Sequence, residues 1–277
     1  MAEPLKDSKS IAFLFPGQGS QSVGMGKELA VRYPVAKQTF EEADAALGYA
    51  LSALCFEGPE EKLKMTEATQ PAILTVSVAA LHVLREHGVE PGFVAGHSLG
   101  EYSAHVAAGT LDFADAVRIV RNRGRYMQEA VPAGQGAMAA VLGLPLADIE
   151  AACREAAQGE GVAPANINSP GQVVISGHQA AVERAAELVK QRGAKRAVML
   201  SVSAPFHCSL MQPAQERLAA DLRAATFHPM RVPLVTNVDA EVIEPAEKAR
   251  EALIRQVTGA VQWEKSMGAL ISRGVQT

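Results

Sequence analysis

A serine set between two glycines is the feature that most constrains this chain. Residues 96–100 read GHSLG, the pattern G-x-S-x-G, with an apolar stretch at 92–95 before it and a helical stretch at 99–108 after it. At such a strand-to-helix turn the serine is held in a strained backbone conformation and its hydroxyl is pushed into open space. The pattern predicts an α/β fold with Ser98 as nucleophile. A tight turn capped by a serine is the alternative.

The composition allows a core of ordinary size and excludes some partners. The chain has 277 residues, 48% of them hydrophobic, and a formal net charge of −4. The basic and acidic residues are mixed, so no electrostatic footprint points to nucleic acid or to an anionic membrane. We expect a small ligand or a protein partner.

The cysteines and the N-terminus indicate the compartment. Three cysteines at scattered positions, without CxxC spacing, argue against a disulfide framework or a zinc site. The first residues lack the apolar core of a secretory signal, and residues 72–84 are read as too short and too polar to span a bilayer. We expect a cytoplasmic protein with no permanently bound cofactor and no metal.

Apolar runs alternate with helical patterns along the main part of the chain. A run at 11–15 predicts a strand buried on both faces, a helix is expected to begin near Val23, and residues 71–87 have helical spacing that stops at Gly88. Short strands are predicted at 93–95 and 232–237. This order is typical of an α/β fold with a mostly parallel sheet.

Residues 136–203 have a different order of predicted strands and helices. Apolar runs at 138–142, 163–167, 173–176 and 197–202 alternate with helical patterns at 146–157 and 179–191. The order βαββαβ is that of a ferredoxin-like α+β unit. We therefore expect residues 1–135 and 204–277 to form the main domain and residues 136–203 to form an insert.

A serine nucleophile requires a base and a place for the developing oxyanion. His207, in the segment SAPFHCS, is the leading candidate base, because the other histidines read as structural or solvent-facing. His97, beside the serine, reads as a packing residue. The backbone N–H of Leu99, at the start of the following helix, is the expected oxyanion donor.

Helical spacing also singles out one arginine. On the helix predicted over 113–131 the buried face carries Phe113, Val117, Val120, Gly124, Met127 and Val131. Arg123 flanks this face on its apolar side, whereas Arg118 and Arg125 point outward. The spacing favours a partly buried guanidinium at Arg123, with an ordinary surface arginine as the alternative.

Several motifs together match one family. They are FPGQGSQ at 15–21, GHSLGEY at 96–102, Arg123-Gly124, NINSP at 166–170, PFHC at 205–208, and RQV at 255–257 followed by VQW at 261–263. In this order the chain resembles the malonyl-CoA:acyl carrier protein transacylases, whose fold recurs in polyketide synthase acyltransferase domains. That resemblance implies an α/β main domain like the α/β-hydrolase core, with a ferredoxin-like insert.

The resemblance also implies the chemistry. Ser98 would take a malonyl group from coenzyme A as an ester and yield it to the phosphopantetheine thiol of an acyl carrier protein, with His207 as general base. The backbone carbonyl of Gln256 would orient the histidine. The backbone N–H of Gln18 would be the second oxyanion donor; the alternative, a phosphate loop, fails because residues 17–22 do not follow G-x-G-x-x-G.

Two further roles concern selectivity. Arg123 would bind the free carboxylate of malonate through two parallel hydrogen bonds, so acetyl groups should react poorly. Phe206 resembles the bulky residue that leaves little room for an α-methyl branch, with core packing as its alternative.

Malonyl-CoA and acyl carrier protein are thus the implied partners, and we expect a monomer. Carrier proteins of this type are acidic, and four basic residues could meet one: Lys190, Arg192, Lys195 and Arg196. An equally good reading is that they favour a helix C-terminus. The family usually continues past the position of Thr277 into another strand, which we expect to be missing from the sheet.

Two other functions fit parts of the pattern. A serine esterase of the α/β-hydrolase type shares the turn, but it places its acid after the serine and its histidine near the C-terminus. A docking module without catalysis is the third reading, and the presence of Ser98, His207 and Arg123 argues against it.

Overall fold

A computed structural model of the chain describes residues 8–132, 134–202 and 204–277. Its helices are α1 (Lys27–Arg32), α2 (Pro34–Leu47), α3 (Leu51–Glu57), α4 (Glu60–Leu63), α5 (Thr66–Glu86), α6 (Gly100–Ala107), α7 (Phe113–Glu129), α8 (Leu146–Ala157), α9 (Gln179–Gln191), α10 (Gln212–Ala224), α11 (Ala246–Gln256) and α12 (Trp263–Ser272). Its strands are β1 (Ala12–Phe15), β2 (Phe93–Gly96), β3 (Gly136–Leu142), β4 (Val162–Ser169), β5 (Gln172–His178), β6 (Arg196–Met199), β7 (Leu234–Val235) and β8 (Val242–Ile243).

The first sheet has the strand order β1-β2-β7-β8. Strands β1, β2 and β7 run parallel, and β8 is antiparallel to β7. Phe15 pairs with Gly96, so β1 and β2 end together at the turn that carries Ser98. The mostly parallel sheet predicted from the alternating strands and helices is therefore confirmed.

The second sheet has the order β4-β5-β3-β6, and its neighbours are all antiparallel. With the helices α8 and α9 packed on it, this is the ferredoxin-like arrangement that the sequence predicts. Both helices begin and end at the predicted residues. The domain boundaries at 135/136 and 203/204 stay a prediction, and Ser203 lies outside the described residues.

Two expectations for the first strand and helix are wrong. Strand β1 is not buried on both faces, because the described residues leave uncovered the face that carries Leu14, which is 49% exposed. The helix expected near Val23 begins at Lys27 instead, because Gly24 and Gly26 have positive φ values of 95° and 75° and turn the chain first.

Helix α5 is the main core helix, and it is longer than predicted. It begins at Thr66 rather than at Pro71, a residue that sequence patterns favour at the first helical turn. Its 21 residues are long and apolar enough to cross a membrane by length and composition, so residues 72–84 understate the length of the apolar helix. However, 72% of its apolar window is buried inside the protein, as expected for a core helix packed against α2, α6 and α7.

Two backbone hydrogen bonds connect the ferredoxin-like unit to the rest of the protein. Val261, just before α12, accepts a hydrogen bond from the N–H of Ile167 at 2.9 Å and donates one to the carbonyl of Ala165 at 2.8 Å. Strand β4 of the ferredoxin-like unit is thus bonded directly to the chain that follows α11.

Candidate active site

Ser98 occupies the turn between β2 and α6 with φ at 52°, in the left-handed region that a serine rarely adopts. The flanking glycines make this turn possible. A Cβ on Gly96 would lie 1.9 Å from the backbone of Gly100, and one on Gly100 would lie 2.1 Å from the carbonyl oxygen of Phe15. The strained elbow predicted from G-x-S-x-G is therefore present.

The side chain of Asn237, just after β7, forms two hydrogen bonds with the backbone of this turn. Its Oδ1 accepts a hydrogen bond from the Ser98 N–H at 2.6 Å, and its Nδ2 donates to the carbonyl of Gly96 at 2.7 Å. The side chain is fully buried. It bonds the backbone on both sides of His97, which stabilises the strained conformation.

The hydroxyl of Ser98 meets the imidazole of His207. Their Oγ and Nε2 atoms are 2.7 Å apart, and His207 is 3% exposed. On the other side of the ring Nδ1 faces the backbone carbonyls of Gln256 at 2.9 Å and Gly259 at 3.1 Å. Because carbonyls only accept, Nδ1 carries the proton and Nε2 is free to accept one from the serine.

This contact decides between two readings of Ser98. The N-cap residue of α6 is Leu99, which makes no side-chain capping bond, and the serine hydroxyl is hydrogen-bonded to the histidine instead. The capping-serine alternative is therefore wrong.

Burial keeps the imidazole of His207 neutral. It lowers the pKa of His207 to about 3, and the positive charge of Arg123 acts in the same direction, against the hydrogen bonds to the two carbonyls. The ring can thus accept a proton at any pH well above this value.

Arg123 lies beside the serine and is almost completely buried, at 1% exposure. Its Nη2 is 3.1 Å from Ser98 Oγ and 3.0 Å from Gln256 Oε1, and its Nη1 donates to Gln70 Oε1 at 2.9 Å. Its Nε has no hydrogen-bond partner among the described residues. The surface-arginine alternative is wrong, and burial is deeper than the helical spacing predicts, because α7 packs tightly on α5.

The cavity above the serine has a volume of about 230 Å³. Gln18, Leu99 and Phe206 line it, as do Gln70 and Arg123. The ferredoxin-like unit contributes apolar residues from β3, β5 and the chain after β6: Met138, Val174, Leu200 and Val202. The site therefore lies between the two units, which close on it from opposite sides.

His97 is more than a packing residue. Its Nε2 lies 2.9 Å from Oδ1 of Asn168 on β4, and its ring contacts Trp263 edge to face. It also lines the cavity. His97 thus joins the nucleophile turn to the ferredoxin-like unit.

Sequence patterns missed three polar residues around the serine: Gln70, Glu101 and Asn237. Glu101 follows the GHSLG segment, but an acidic residue in the first turn of a helix is usually explained by the helix dipole. Here it is fully buried, and burial raises its pKa to about 7 against the hydrogen bonds from Gln256 and Asn237. Only the tertiary structure reveals what it touches.

The remaining candidates lie away from the cavity. Of the four basic residues of the suggested docking patch, Lys190 pairs with Glu187 and Arg192 with Glu155, so half of the patch is already neutralised by acidic neighbours. His105 is buried with neither ring nitrogen hydrogen-bonded among the described residues. The described part of the chain holds no group of three or more His, Cys, Asp or Glu side chains that could bind a metal ion.

A hydroxyl bonded to a neutral imidazole can attack a carbonyl carbon and carry the acyl group as an ester. The fold and this geometry define the class of serine enzymes that act on acyl groups. The nitrogen that would face a carboxylate in a hydrolase triad here faces two backbone carbonyls, which separates the site from the esterase pattern.

Comparison with known proteins narrows the class. Residues 12–268 match the family described as the acyl transferase domain. The chain is 55% identical over 266 residues to the malonyl CoA-acyl carrier protein transacylase of Escherichia coli O157:H7, covering 96% of this chain and 86% of that one. It is 52% identical to the transacylase of the same name from Bacillus subtilis strain 168, covering 96% of this chain and 84% of that one. The chain belongs to the acyl transferase family.

Solved structures agree with the sequence comparison. An acyl carrier protein S-malonyltransferase from Vibrio cholerae superposes with a TM-score of 0.94 at 51% identity, covering 96% of this chain and 87% of that one. A malonyl-transacylase in complex with a type II polyketide synthase acyl-carrier protein superposes with a TM-score of 0.93 at 51% identity, covering 95% of this chain and 86% of that one.

Proposed function

We propose that this protein transfers the malonyl group of malonyl-CoA to the phosphopantetheine thiol of an acyl carrier protein, for fatty acid or polyketide synthesis. The relatives named above carry this activity in their names. The single observation that carries the proposal within the site is the buried guanidinium of Arg123, 3.1 Å from the hydroxyl of Ser98. A buried cation next to a nucleophile suits an acyl group that ends in a carboxylate.

In the first half-reaction Ser98 Oγ attacks the thioester carbonyl carbon and His207 Nε2 accepts the hydroxyl proton. The C–S bond then breaks, the proton passes to the coenzyme A thiolate, and the malonyl group remains as an ester on Ser98. In the second half-reaction the carrier thiol gives its proton to His207 and its sulfur attacks the ester carbonyl carbon. The C–O bond to Ser98 Oγ then breaks, the malonyl group leaves as the carrier thioester, and His207 returns the proton to Ser98 Oγ. The 2.7 Å contact between Oγ and Nε2 supports this path.

The oxyanion of each tetrahedral intermediate is assigned to two backbone N–H groups. That of Leu99 lies at the N-terminus of α6, where the helix dipole favours negative charge, and that of Gln18 lies in the loop after β1. Both residues line the cavity. The carbonyl of Gln256 keeps the His207 proton on Nδ1 through both half-reactions.

The malonyl carboxylate is assigned to Arg123. Two amide oxygens, from Gln70 and Gln256, accept hydrogen bonds from the guanidinium, and neither carries a negative charge to neutralise it. An arriving carboxylate would supply the missing negative charge in a shielded place, where such a pair is strong. Phe206, at the cavity wall next to the base, limits the space for a branch on the malonyl α-carbon.

We further propose that the protein works in the cytoplasm as a monomer, without a permanently bound cofactor. The domain division at 136 and 203 belongs to the same proposal. The cavity supports the domain division, because residues of both units line it.

The test is malonyl loading followed by intact-mass measurement. Incubation with malonyl-CoA should add one malonyl group to the protein, the group should be lost when phosphopantetheinylated carrier protein is added, and Ser98→Ala should not load. Ser103→Ala, which removes another buried hydroxyl from α6, is the control and should load normally. Rapid release of free malonate would indicate an esterase, and no loading would indicate a docking module.

A further inference from the structure

The carboxyl group of Glu101 lies under the nucleophile turn and takes part in neither half-reaction as described. It is fully buried on the first turn of α6. Its Oε2 accepts hydrogen bonds from Gln256 Nε2 at 2.8 Å and from the Asn237 N–H at 3.2 Å. Its Oε1 has no hydrogen-bond partner among the described residues. A buried carboxyl group is costly to keep, so it needs an explanation.

The side-chain amide of Gln256, which donates a hydrogen bond to Glu101, is also fully buried. Its Nε2 donates to the carbonyl of Ser98 at 2.8 Å as well as to Glu101, and its Oε1 accepts from Arg123 Nη2 at 3.0 Å. A glutamine amide has two ends of similar shape and opposite polarity. Which end faces Arg123 is therefore decided by its neighbours.

The neighbours of Gln256 permit only one orientation. The Ser98 carbonyl only accepts, and so does the Glu101 oxygen that faces the amide, so the Gln256 NH₂ group must point toward them. Its oxygen must then point to Arg123, which only donates. With the amide reversed, NH₂ would face guanidinium, and two acceptors would face an oxygen.

We propose that Glu101 is a positioning residue for malonyl selection: it fixes the Gln256 amide, whose oxygen holds one arm of the Arg123 guanidinium. This inference rests on the proposed function. Gln70 holds the other arm, so the plane of the guanidinium is set before the substrate arrives. An acyl group without a carboxylate cannot form the paired hydrogen bonds with the guanidinium, so its transfer does not depend on the orientation of Arg123.

The carboxyl group performs this role in either protonation state. Its surroundings carry the charges of Arg123 on α7, Asp239 after β7 and Arg255 on α11. A proton taken up on the unpartnered Oε1 leaves Oε2 as an acceptor for Gln256. The role is thus one of hydrogen-bond polarity rather than of charge.

Three substitutions test the inference, with kcat/KM measured for malonyl-CoA and acetyl-CoA. In Glu101→Leu we expect kcat/KM for malonyl transfer to fall about tenfold or more and that for acetyl transfer to change by less than about twofold. Glu101→Gln still offers an amide oxygen to Gln256 and should stay within about threefold of the parent in both. Ser103→Ala, on the same helix, controls for the loss of a buried polar group.

Folding is checked independently by thermal unfolding and by labelling of Ser98 with a sulfonyl fluoride, which needs no carboxylate site. If Glu101→Leu does not fold, Glu101→Asp decides, because it withdraws the carboxyl by one methylene and should lower malonyl transfer selectively. An equal loss for both acyl groups, no loss, or a failure of Glu101→Gln to retain malonyl preference overturns the inference. Failure of the proposed function is distinguishable, since Arg123→Ala would then leave malonyl preference unchanged.

Discussion

The Nε2 atom of His207 lies 2.7 Å from the Oγ atom of Ser98, although 109 positions separate the two residues in the chain. Both have positive φ, 52° for the serine and 57° for the histidine. Each half of the pair is therefore held in a conformation that the surrounding fold must enforce.

Acylation of Ser98 should show no loss of rate between pH 7 and pH 5. His207 must be neutral to accept a proton, and burial with the nearby Arg123 charge lowers its pKa to about 3. A base with the ordinary histidine pKa of about 6.5 would instead lose roughly 25-fold over this range. Stopped-flow detection of released coenzyme A measures the rate, with Ser98→Ala as background. A steep fall below pH 6.5 would contradict the prediction.

Arg123→Ala should depress malonyl transfer by roughly a thousandfold in kcat/KM while sparing or raising acetyl transfer. The substitution removes the only partner assigned to the malonyl carboxylate, and losing such a pair in a shielded site costs about 2–5 kcal/mol. Arg125→Ala, on the exposed side of the same helix, is the matched control and should leave both rates unchanged. Equal loss for malonyl and acetyl groups would refute the carboxylate role.

Phe206→Ala should admit a branched substrate. Removing this cavity-lining ring makes room for an α-methyl group, so the ratio of methylmalonyl to malonyl transfer should rise about tenfold. One methylene in a hydrophobic pocket changes selectivity by about this factor. Competition between the two thioesters, followed by mass analysis of loaded protein, measures the ratio. Phe206→Leu should give an intermediate value, and an unchanged ratio in both variants would assign the ring to packing alone.

His105→Leu should reduce the acid sensitivity of folding. Burial lowers the pKa of His105 to about 3, below its unfolded value of about 6.5, so the neutral ring is compatible with folding above pH 6.5 and stability is lost as the pH falls toward 3. As the pH falls from 6.5 to 5, the free energy of unfolding of the variant relative to the parent should rise by about 1.6 kcal/mol. Urea unfolding at several pH values measures this, and the exposed His87→Gln serves as control. A pH-independent difference would contradict it.

Gly100→Ala and Gly268→Ala should have opposite effects on stability. A methyl group at 100 would lie 2.1 Å from the Phe15 carbonyl oxygen, whereas one at 268 on α12 meets no atom within 4 Å. We expect the first to destabilise the fold by about 2 kcal/mol or more and to lower acylation, and the second to stabilise it by about 0.5–1 kcal/mol. Thermal unfolding of both variants decides, and a neutral Gly100→Ala would remove the steric argument for the turn.

The sequence predicts well those features that depend on local residue spacing or on short motifs. Helices α8 and α9 end where their apolar spacing ends, and the spacing of α7 places Arg123 beside the buried face, although not as deeply as the structure does. The turn at Ser98 is predicted because two glycines mark a close approach of backbone segments. The family motifs supply the pairing of Ser98 with His207, which spacing alone leaves as one candidate among seven histidines.

The polar shell around the serine could not be predicted in the same way. Asn237 and Glu101 are hydrogen-bonded although 136 positions separate them in the sequence, and Gln70 and Arg123 are hydrogen-bonded across 53 positions. Nothing in the local pattern of a polar residue says whether it faces water or another buried group, so such contacts depend on the assembled fold. The start of α1 was missed for a related reason, since its glycine turn interrupts a pattern that otherwise reads as helix.

The segment from Gln256 to Val261 has two neighbours at once. The carbonyls of Gln256 and Gly259 face the imidazole of His207, and Val261 forms two backbone hydrogen bonds with strand β4. The contacts that fix the imidazole and the contact that joins the two units therefore belong to one segment of six residues, so a substitution that displaces this segment should disturb both.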